Sequence, residues 1–279
     1  MSIELPPDTT VRLRTQGFLQ LVAQDAVLEA VQATFTAARE FFAASEEEKH
    51  GCVLPLDCGY RPYGAEYSVT ADIPDALESF TVSDRARIHG VAMSSTRGHE
   101  LYARMDAAFG LMEVLSEALA HQIASDVSGG TAGALCAGAF RRWSRLQLNF
   151  ARPTATSNDF INELHEDGHF LTIVKSTGSG LEVRTPQGNF ISPAVEPHEV
   201  LVMPGQIVSL MTAGEIKPLY HRVRKMRGQA ERMALLFFAD IVPQYCVPWK
   251  HSEAYAGIDI GARVLTNSSR FGLRDFPIE

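Results

Sequence analysis

The stretch His165-Glu-Asp-Gly-His-Phe-Leu-Thr-Ile-Val174 decides the fold class of this chain. It opens with a His-x-Asp pair and continues, from Phe170, as a β-rich run typical of a buried strand. Alternate residues of an extended segment point to the same side, so we expect His165 and Asp167 to share one face. The pair alone is weak evidence, because a solvated surface loop would carry it equally well. The predicted buried strand that follows favours a metal-binding pair over a solvated surface loop.

A third histidine, His221, completes a candidate metal site. It lies in Leu219-Tyr-His-Arg-Val223, far enough along the chain for several strands to separate it from Asp167. Two imidazoles and one carboxylate leave three octahedral positions open, which is the facial triad of non-haem Fe(II) oxygenases. We therefore predict His165, Asp167 and His221 as metal ligands. A zinc hydrolase stays open as an alternative. It would need a general base, and Glu166 would point away from the pair.

Arg232 is the next informative residue, because it opens an otherwise apolar strand. A buried guanidinium is costly unless it meets an anion, and its planar donors match a carboxylate. Ala234, Leu236 and Phe238 would share its strand face. An ion pair with a neighbouring acid is the alternative, but beside a metal triad the pattern favours anion binding. His169 could face the same cavity or be a structural histidine.

Composition narrows the function classes. A chain of 279 residues with 46% hydrophobic and 21% charged residues is ordinary for a globular protein. A net charge of −8 argues against a nucleic-acid partner. We expect no membrane partner, since no apolar run approaches the ~20 residues of a span and Met1 to Pro7 lack a signal pattern. The four cysteines show no CxxC spacing, which predicts a reducing, cytoplasmic location. The sequence does not indicate an oligomeric state.

Apolar spacing predicts two helices in the first half of the chain. Residues 25–44 show helical spacing, and a long stripe from Leu101 to Ile123 predicts a helix that packs on the outside of a sheet. Val11 to Val22 suggests one or two short strands, and Glu46 to Glu48 a solvated turn. The Gly- and Ala-rich residues from Ser128 to Gly138 suggest a flexible connection.

From Trp143 onward, short strands separated by turns predict an antiparallel sandwich or barrel. The predicted strands are Leu146–Phe150, Phe170–Lys175, Leu181–Arg184, Phe190–Ile191, Glu199–Met203, Ile207–Met211, His221–Arg224 and Met233–Ala239. We expect one domain, with a helix-rich part over 1–127, a β core over 143–240 and a C-terminal wrap over 241–279.

Further motifs follow in order along most of the chain. They are Gly17-Phe-Leu-Gln-Leu-Val22, Ala38-Arg-Glu-Phe-Phe42, Glu46-Glu-Glu-Lys49, Gly59-Tyr-Arg-Pro62, Glu78-Ser-Phe80, Gly180-Leu-Glu-Val183 and Pro204-Gly205. With the triad and Arg232-x-Ala234, this order resembles the isopenicillin N synthase-like group of iron and 2-oxoglutarate-dependent dioxygenases. The resemblance implies an α+β fold with a mainly β core. That core is a double-stranded β-helix (jelly roll) with supporting N-terminal and central helices.

The resemblance also implies Fe(II), 2-oxoglutarate and O2 as cofactors. The keto acid end of 2-oxoglutarate would chelate the iron, and its far carboxylate would meet Arg232. Two departures remove donors to that carboxylate: Ala234 replaces the serine of the family's Arg-x-Ser motif, and Ala151 replaces a tyrosine. Gln147 and Asn149, on one face of the same strand, are the nearest replacements.

The expected activity is oxidation of a small molecule, by hydroxylation, desaturation or cyclisation, in secondary metabolism. The candidate substrate residues are Tyr60, Arg61 and Tyr67, in a loop that the family places near the cavity mouth, with Phe150, His169 and Phe238. Two alternatives stay open. One is a 2-oxoglutarate-independent Fe(II) oxidase of the same fold, and the other is a non-catalytic β-helix protein that binds a metal or ligand.

Overall fold

The computed structural model describes residues 3–55, 58–70, 72–84, 93–130, 139–152, 159–267 and 272–273. The helices are α1 (Thr9–Thr15), α2 (Asp25–Phe42), α3 (Glu46–His50), α4 (Thr96–Ser128), α5 (Gln206–Met211) and α6 (Ile260–Asn267). The strands of the first half are β1 (Leu19–Val22), β2 (Val53–Leu54), β3 (Cys58–Arg61), β4 (Glu66–Tyr67) and β5 (Glu78–Ser83). Those that follow are β6 (Arg145–Ala151), β7 (Phe160–His165), β8 (Leu171–Ser176), β9 (Leu181–Arg184), β10 (Phe190–Ile191), β11 (Glu199–Pro204), β12 (His221–Arg224), β13 (Arg232–Ala239) and β14 (Gly272–Leu273). Short 3₁₀ turns occupy Pro243–Tyr245 and Glu253–Tyr255.

Two antiparallel sheets form the core. The larger sheet has the order β1-β11-β8-β13-β6-β5-β3-β2, and the smaller has the order β10-β9-β12-β7. Side chains from both sheets line one cavity, so the sheets face each other across it. This arrangement, with helices against the larger sheet, confirms the predicted α+β fold with a jelly-roll core.

Helix α4 supports the larger sheet from outside, as its apolar stripe predicts. Leu101, Met105, Leu119 and Ile123 are fully buried, and the Phe109 ring meets the Phe237 ring of β13 edge-on at 5.0 Å. The methionines of this stripe therefore serve as core filling. Helix α2 packs against α4, which places both predicted helices on one side of the sheet.

Of two predictions for the N-terminal region, one is confirmed only for its second half and the other is wrong. The sequence predicts short strands over Val11 to Val22, but the first part of this segment belongs to α1, and the strand β1 begins only at Leu19. Thr9, Thr10 and Leu13 are the buried residues of α1, a helical spacing that the irregular alternation concealed. Glu46 to Glu48 begin the short helix α3 rather than a turn, because the Ser45 hydroxyl caps it by accepting from the Glu48 amide at 3.2 Å.

The predicted strand Ile207–Met211 is helix α5 instead. A run of five largely apolar residues fits a buried helix as well as a strand, so periodicity could not decide between them. Hydrogen bonds to the loop after β7 decide it: the amides of Gln206 and Ile207 donate to the carbonyls of Asp167 and His169. Strand β7 was not predicted, and neither were β2 to β5 and β14, which lie outside the region where strands were expected. The other predicted strands are present with ends within about one residue.

The predicted flexible connection lies outside the described residues from residue 131 to residue 138. Within the residues that the structure describes, no helix combines the length and apolar character needed to cross a membrane.

Candidate metal centre

Strand pairing brings the two predicted histidine ligands together. His165 ends β7 and His221 begins β12, and the two are direct partners across this antiparallel pair. Directly opposed residues in such a pair project to the same face at close range. The two imidazole ring centres accordingly lie 4.4 Å apart.

Asp167 adds a carboxylate to this pair from the bend just after β7. Its Oδ1 lies 3.8 Å from the His165 Nε2 and 4.0 Å from the His221 Nε2. All three ligand atoms lie within 4.8 Å of one another, and the Asp167 and His221 side chains are buried. In the described ranges no other trio of His, Cys, Asp or Glu meets in this way.

Backbone carbonyls fix the tautomer of both histidines. The His165 Nδ1 lies 2.6 Å from the Glu163 carbonyl, and the His221 Nδ1 lies 3.2 Å from the Leu219 carbonyl. A carbonyl can only accept, so each Nδ1 carries the proton and each Nε2 keeps its lone pair for a metal. Burial, and then the unfavourable interaction that a second protonated imidazole would have with His221, lowers the pKa of His165, which favours the neutral ligand form.

The Asp167 carboxylate is held in its ionised form. Burial alone would raise its pKa, but the electrostatic interactions with His221 and His165 and a hydrogen bond from Thr172 outweigh burial and lower it. The Thr172 hydroxyl donates to Oδ2 at 2.5 Å, which leaves Oδ1 to face the histidines. Two neutral imidazoles, one carboxylate and no thiolate make a donor set that fits Fe(II).

Replacing Thr172 by valine should weaken metal binding while leaving the fold intact. Valine keeps the shape of this buried side chain but removes the donor that orients Asp167. Losing such an outer partner of a ligand costs about 10- to 100-fold in metal affinity. Titration with Fe(II) without oxygen measures this. The control Thr36→Val, on the exposed face of α2, should bind as the wild type does. Equal affinity in both variants would contradict the role given to Thr172.

Gly205, in the predicted Pro204-Gly205 motif, packs against the backbone of the ligand loop. A Cβ at this position would meet the carbonyl oxygen of His169 and would lie 2.7 Å from that of Asp167. Backbone atoms cannot yield as the end of a flexible side chain can, so any side chain would displace the loop that carries Asp167. The requirement is one of space, since the φ angle of −102° is open to any residue.

Gly205→Ala should therefore lower the free energy of unfolding by about 1–3 kcal/mol and weaken Fe(II) binding. Gly110→Ala is a matched control, because Gly110 lies inside α4 with nothing within 4 Å of an added Cβ. That change should raise stability by about 0.5–1 kcal/mol. Denaturant unfolding and Fe(II) titration measure both effects, and a Gly205→Ala protein as stable as the wild type would contradict the packing argument.

The triad opens into a cavity of about 270 Å³ between the two sheets. Of the predicted site residues, the structure brings to its wall His165, Asp167, His221, Gln147, Asn149, Arg232, Ala234, Tyr67, His169 and Phe238. Leu236, which the sequence predicts on the same strand face as Arg232, and other apolar side chains such as Met203 complete the wall.

Arg232 is buried in the wall of this cavity, with 5% of its surface exposed. Its Nε donates to the Ser179 carbonyl at 3.1 Å. Among the described residues no carboxylate forms an ion pair with it, so the predicted alternative of a neighbouring acid is not found there. Glu231 instead pairs with Arg39. Burial lowers the pKa of Arg232 to about 10, and an anion in the cavity would offset this cost.

Gln147 and Asn149 take different places beside Arg232. The Gln147 Nε2 donates to Glu66 at 2.9 Å and to the Asn149 Oδ1 at 2.8 Å. Asn149 lies directly opposite Ala234 in the β6–β13 pair, next to the position where the family's serine is missing. The Asn149 amide group is therefore the better placed of the two to assist a ligand held by Arg232.

Three predicted substrate residues do not line the cavity. Phe150 stacks on Phe42 at 4.6 Å in the core, because it lies on the opposite face of β6 from Gln147 and Asn149. Tyr60 is buried, and its hydroxyl donates to Glu78 at 2.7 Å. The prediction of substrate contact is therefore corrected for these two residues, and also for Arg61.

The Arg61 guanidinium is occupied by backbone carbonyls. It donates to the carbonyls of Cys58 and Tyr60 at 2.9 Å each, and its side chain lies outside the cavity wall. His169 does reach the wall, but its Nδ1 lies 2.6 Å from the Asp240 carboxylate and its ring packs on Phe238. The structural interpretation of His169 thus gains the firmer support.

Two buried acids in the wall, Glu66 and Asp75, were missed by sequence reasoning. Burial raises the pKa of Glu66, and it raises the pKa of Asp75 to about 6. Neither residue lies in a recognisable local motif, and both come from the N-terminal half of the chain. Long-range contacts bring them beside the triad: β5 pairs with β6, and the Ala76 amide donates to the Ile161 carbonyl of β7 at 2.9 Å.

The comparisons with known proteins agree with this geometry. Residues 144–241 match the family model described as the 2OG-Fe(II) oxygenase superfamily. Residues 12–102 match the model described as the N-terminal region of non-haem dioxygenase in morphine synthesis. No curated protein sequence matches the chain.

Solved structures share the fold at low sequence identity. A full-length protein of Neurospora crassa, solved in complex with alpha-KG and thymine, is 18% identical with a TM-score of 0.78, covering 94% of this chain and 90% of that one. A putative 2OG-Fe(II) oxygenase family protein from Caulobacter crescentus is 18% identical with a TM-score of 0.71, covering 95% and 93%. The rice dioxygenase for auxin oxidation is 20% identical with a TM-score of 0.64, covering 83% and 77%.

The chain belongs to the 2OG-Fe(II) oxygenase superfamily. It is an Fe(II)- and 2-oxoglutarate-dependent oxygenase with O2 as co-substrate, which confirms the predicted enzyme class and cofactors. The matches are consistent with the isopenicillin N synthase-like group.

Proposed function

We propose that the chain holds Fe(II) on His165, Asp167 and His221, binds 2-oxoglutarate against Arg232, and hydroxylates a small molecule. The observation that carries this proposal is a three-ligand cluster and a buried arginine without a described acid partner in the wall of one cavity. An anion with a chelating end and a distant carboxylate would satisfy both groups at once.

The residues of the chain bind and orient, while the cofactors supply the oxidation. Bound Fe(II) with 2-oxoglutarate lets O2 convert a substrate C–H to C–OH, with release of succinate and CO2. Thr172 and the two backbone carbonyls hold the ligand atoms in place. Apolar residues of the wall, such as Val174 and Leu236, limit the access of water.

Asn149 is proposed as the partial replacement for the two lost donors to the far carboxylate. It lies opposite Ala234, whereas Gln147 is engaged with Glu66. We also propose a role in secondary metabolism and a cytoplasmic location. Cys52, Cys58 and Cys246 are buried and form no disulfide among the described residues, which supports a reducing compartment.

Anaerobic calorimetry tests the cofactor sites. 2-Oxoglutarate should bind tightly only when Fe(II) is present, whereas glutarate, which lacks the keto oxygen, should bind weakly under both conditions. In air, the loaded protein should release succinate, and a true substrate should accelerate this release. Substrate turnover without succinate would favour the 2-oxoglutarate-independent oxidase. Binding of Fe(II) without any turnover across a broad panel would favour the non-catalytic alternative.

A further inference from the structure

The cavity that holds the triad also contains two buried carboxylates that the cofactor chemistry does not use. Glu66 of β4 and Asp75 of the segment before β5 both line its wall and are at most 9% exposed. The Asp75 amide donates to the Glu66 carbonyl at 2.9 Å, so one short segment presents both side chains.

Neutral donors hold both acids in place. The Glu66 carboxylate accepts from the Ser79 hydroxyl at 2.6 Å and from the Gln147 amide at 2.9 Å. The Asp75 carboxylate accepts from the Ser68 hydroxyl at 2.8 Å, and Ser68 in turn accepts from Asn162 at 3.3 Å. Hydroxyl and amide donors orient a carboxylate but do not neutralise its charge.

No described lysine or arginine forms an ion pair with either acid. Arg61 and Arg145 act on Glu66 only at longer range, and the Arg61 guanidinium donates instead to backbone carbonyls. Both carboxylates therefore carry a burial cost that a cation in the cavity would offset.

The charges of the loaded site lead to the same conclusion. A divalent iron and Arg232 contribute positive charge that Asp167 and the dianion of 2-oxoglutarate cancel. Glu66 and Asp75 then remain in the wall without an ion-pair partner among the described residues. An anionic substrate would face like charge on this side, whereas a cationic one would complete the balance.

We propose that the substrate presents a positively charged, N–H-bearing group, such as an amine, amidine or guanidine, to Glu66 and Asp75. This proposal rests on the proposed function, because it assigns the substrate class of the same site. The two acids fix the charged end, and the triad meets a carbon elsewhere on the molecule. Polar side chains around the acids hold the recognition surface rigid before the substrate binds.

A matched pair of probes tests the charge preference. Benzamidine and benzamide share the same planar shape, but only benzamidine is cationic. By calorimetry on the protein loaded with Fe(II) and 2-oxoglutarate without oxygen, benzamidine should bind more tightly by about tenfold or more. Glu66→Gln and Asp75→Asn should each remove most of this preference. Glu100→Gln, which alters an exposed ion pair with Arg104 on α4, should retain it.

Other outcomes separate the two proposals. Three outcomes would overturn the proposal of a cationic substrate. They are equal or tighter binding of benzamide or of the neutral lactam thymine, no benzamidine binding at millimolar concentration, and an unchanged preference in both variants. The Glu66→Gln and Asp75→Asn proteins should still bind 2-oxoglutarate with Fe(II), which shows that their sites are folded. The probe titrations are repeated on metal-free protein, where they do not depend on 2-oxoglutarate. A protein that prefers benzamidine but fails to bind 2-oxoglutarate would therefore contradict the proposed function alone.

Discussion

His221→Ala should abolish Fe(II) binding and succinate release together. His221 provides one of only two imidazoles to the cluster, and its ring is buried 4.4 Å from that of His165. Loss of a residue that merely orients a ligand already costs about 10- to 100-fold in metal affinity. Removal of the ligand itself should therefore cost more than about 100-fold. Titration with Fe(II) and an assay of succinate release measure the two effects.

The fold should survive this change, because β12 is held by backbone pairing on both sides. It pairs with β7 and with β9, and neither ladder needs the imidazole. His121→Ala, at an exposed position of α4, is the control and should leave both measurements unchanged. A His221→Ala protein that kept Fe(II)-dependent activity would disprove the ligand assignment. His221→Gln is a second variant that keeps a polar side chain of similar size. It should remain folded and should also lose Fe(II) binding, which separates loss of the ligand from loss of the fold.

The metal cluster could be anticipated from sequence because its determinants are local. Two ligands lie within three residues, and the third begins a short strand whose pattern was recognisable. What the sequence could not provide was the pairing register, which places His165 directly opposite His221. Strand β7 itself, Phe160–His165, was missed because its residues alternate poorly between apolar and polar.

The wall of the cavity was less predictable, for two different reasons. Phe150 could have been excluded from sequence alone, since adjacent strand residues face opposite sides and Gln147 and Asn149 were already assigned to the cavity. Glu66 and Asp75 could not have been found, because their position depends on how β5 docks against β6. Contacts between distant segments have no periodic signature in either segment.

Arg232→Met should raise the dissociation constant of 2-oxoglutarate by about 100-fold or more, since charge-assisted hydrogen bonds to a buried anion are lost. Methionine keeps an unbranched, flexible side chain of comparable length in the same space. The melting temperature of the free protein should not fall. The buried guanidinium has no described ion-pair partner, and only its bond to the Ser179 carbonyl is lost. Calorimetry with Fe(II) and thermal unfolding without ligands measure the two effects.

Two further variants show what Arg232 contributes. Arg232→Lys keeps the charge but loses the planar fork, so its affinity for 2-oxoglutarate should be intermediate. Arg39→Met breaks the exposed pair with Glu231, the neighbour of Arg232, and should not alter binding. If Arg232→Met bound 2-oxoglutarate as the wild type does, the arginine would have no part in holding the cosubstrate. If Arg232→Met instead unfolded readily, interactions within the protein would already offset the cost of burying the guanidinium. Arg232 would then not need 2-oxoglutarate as its counter-ion.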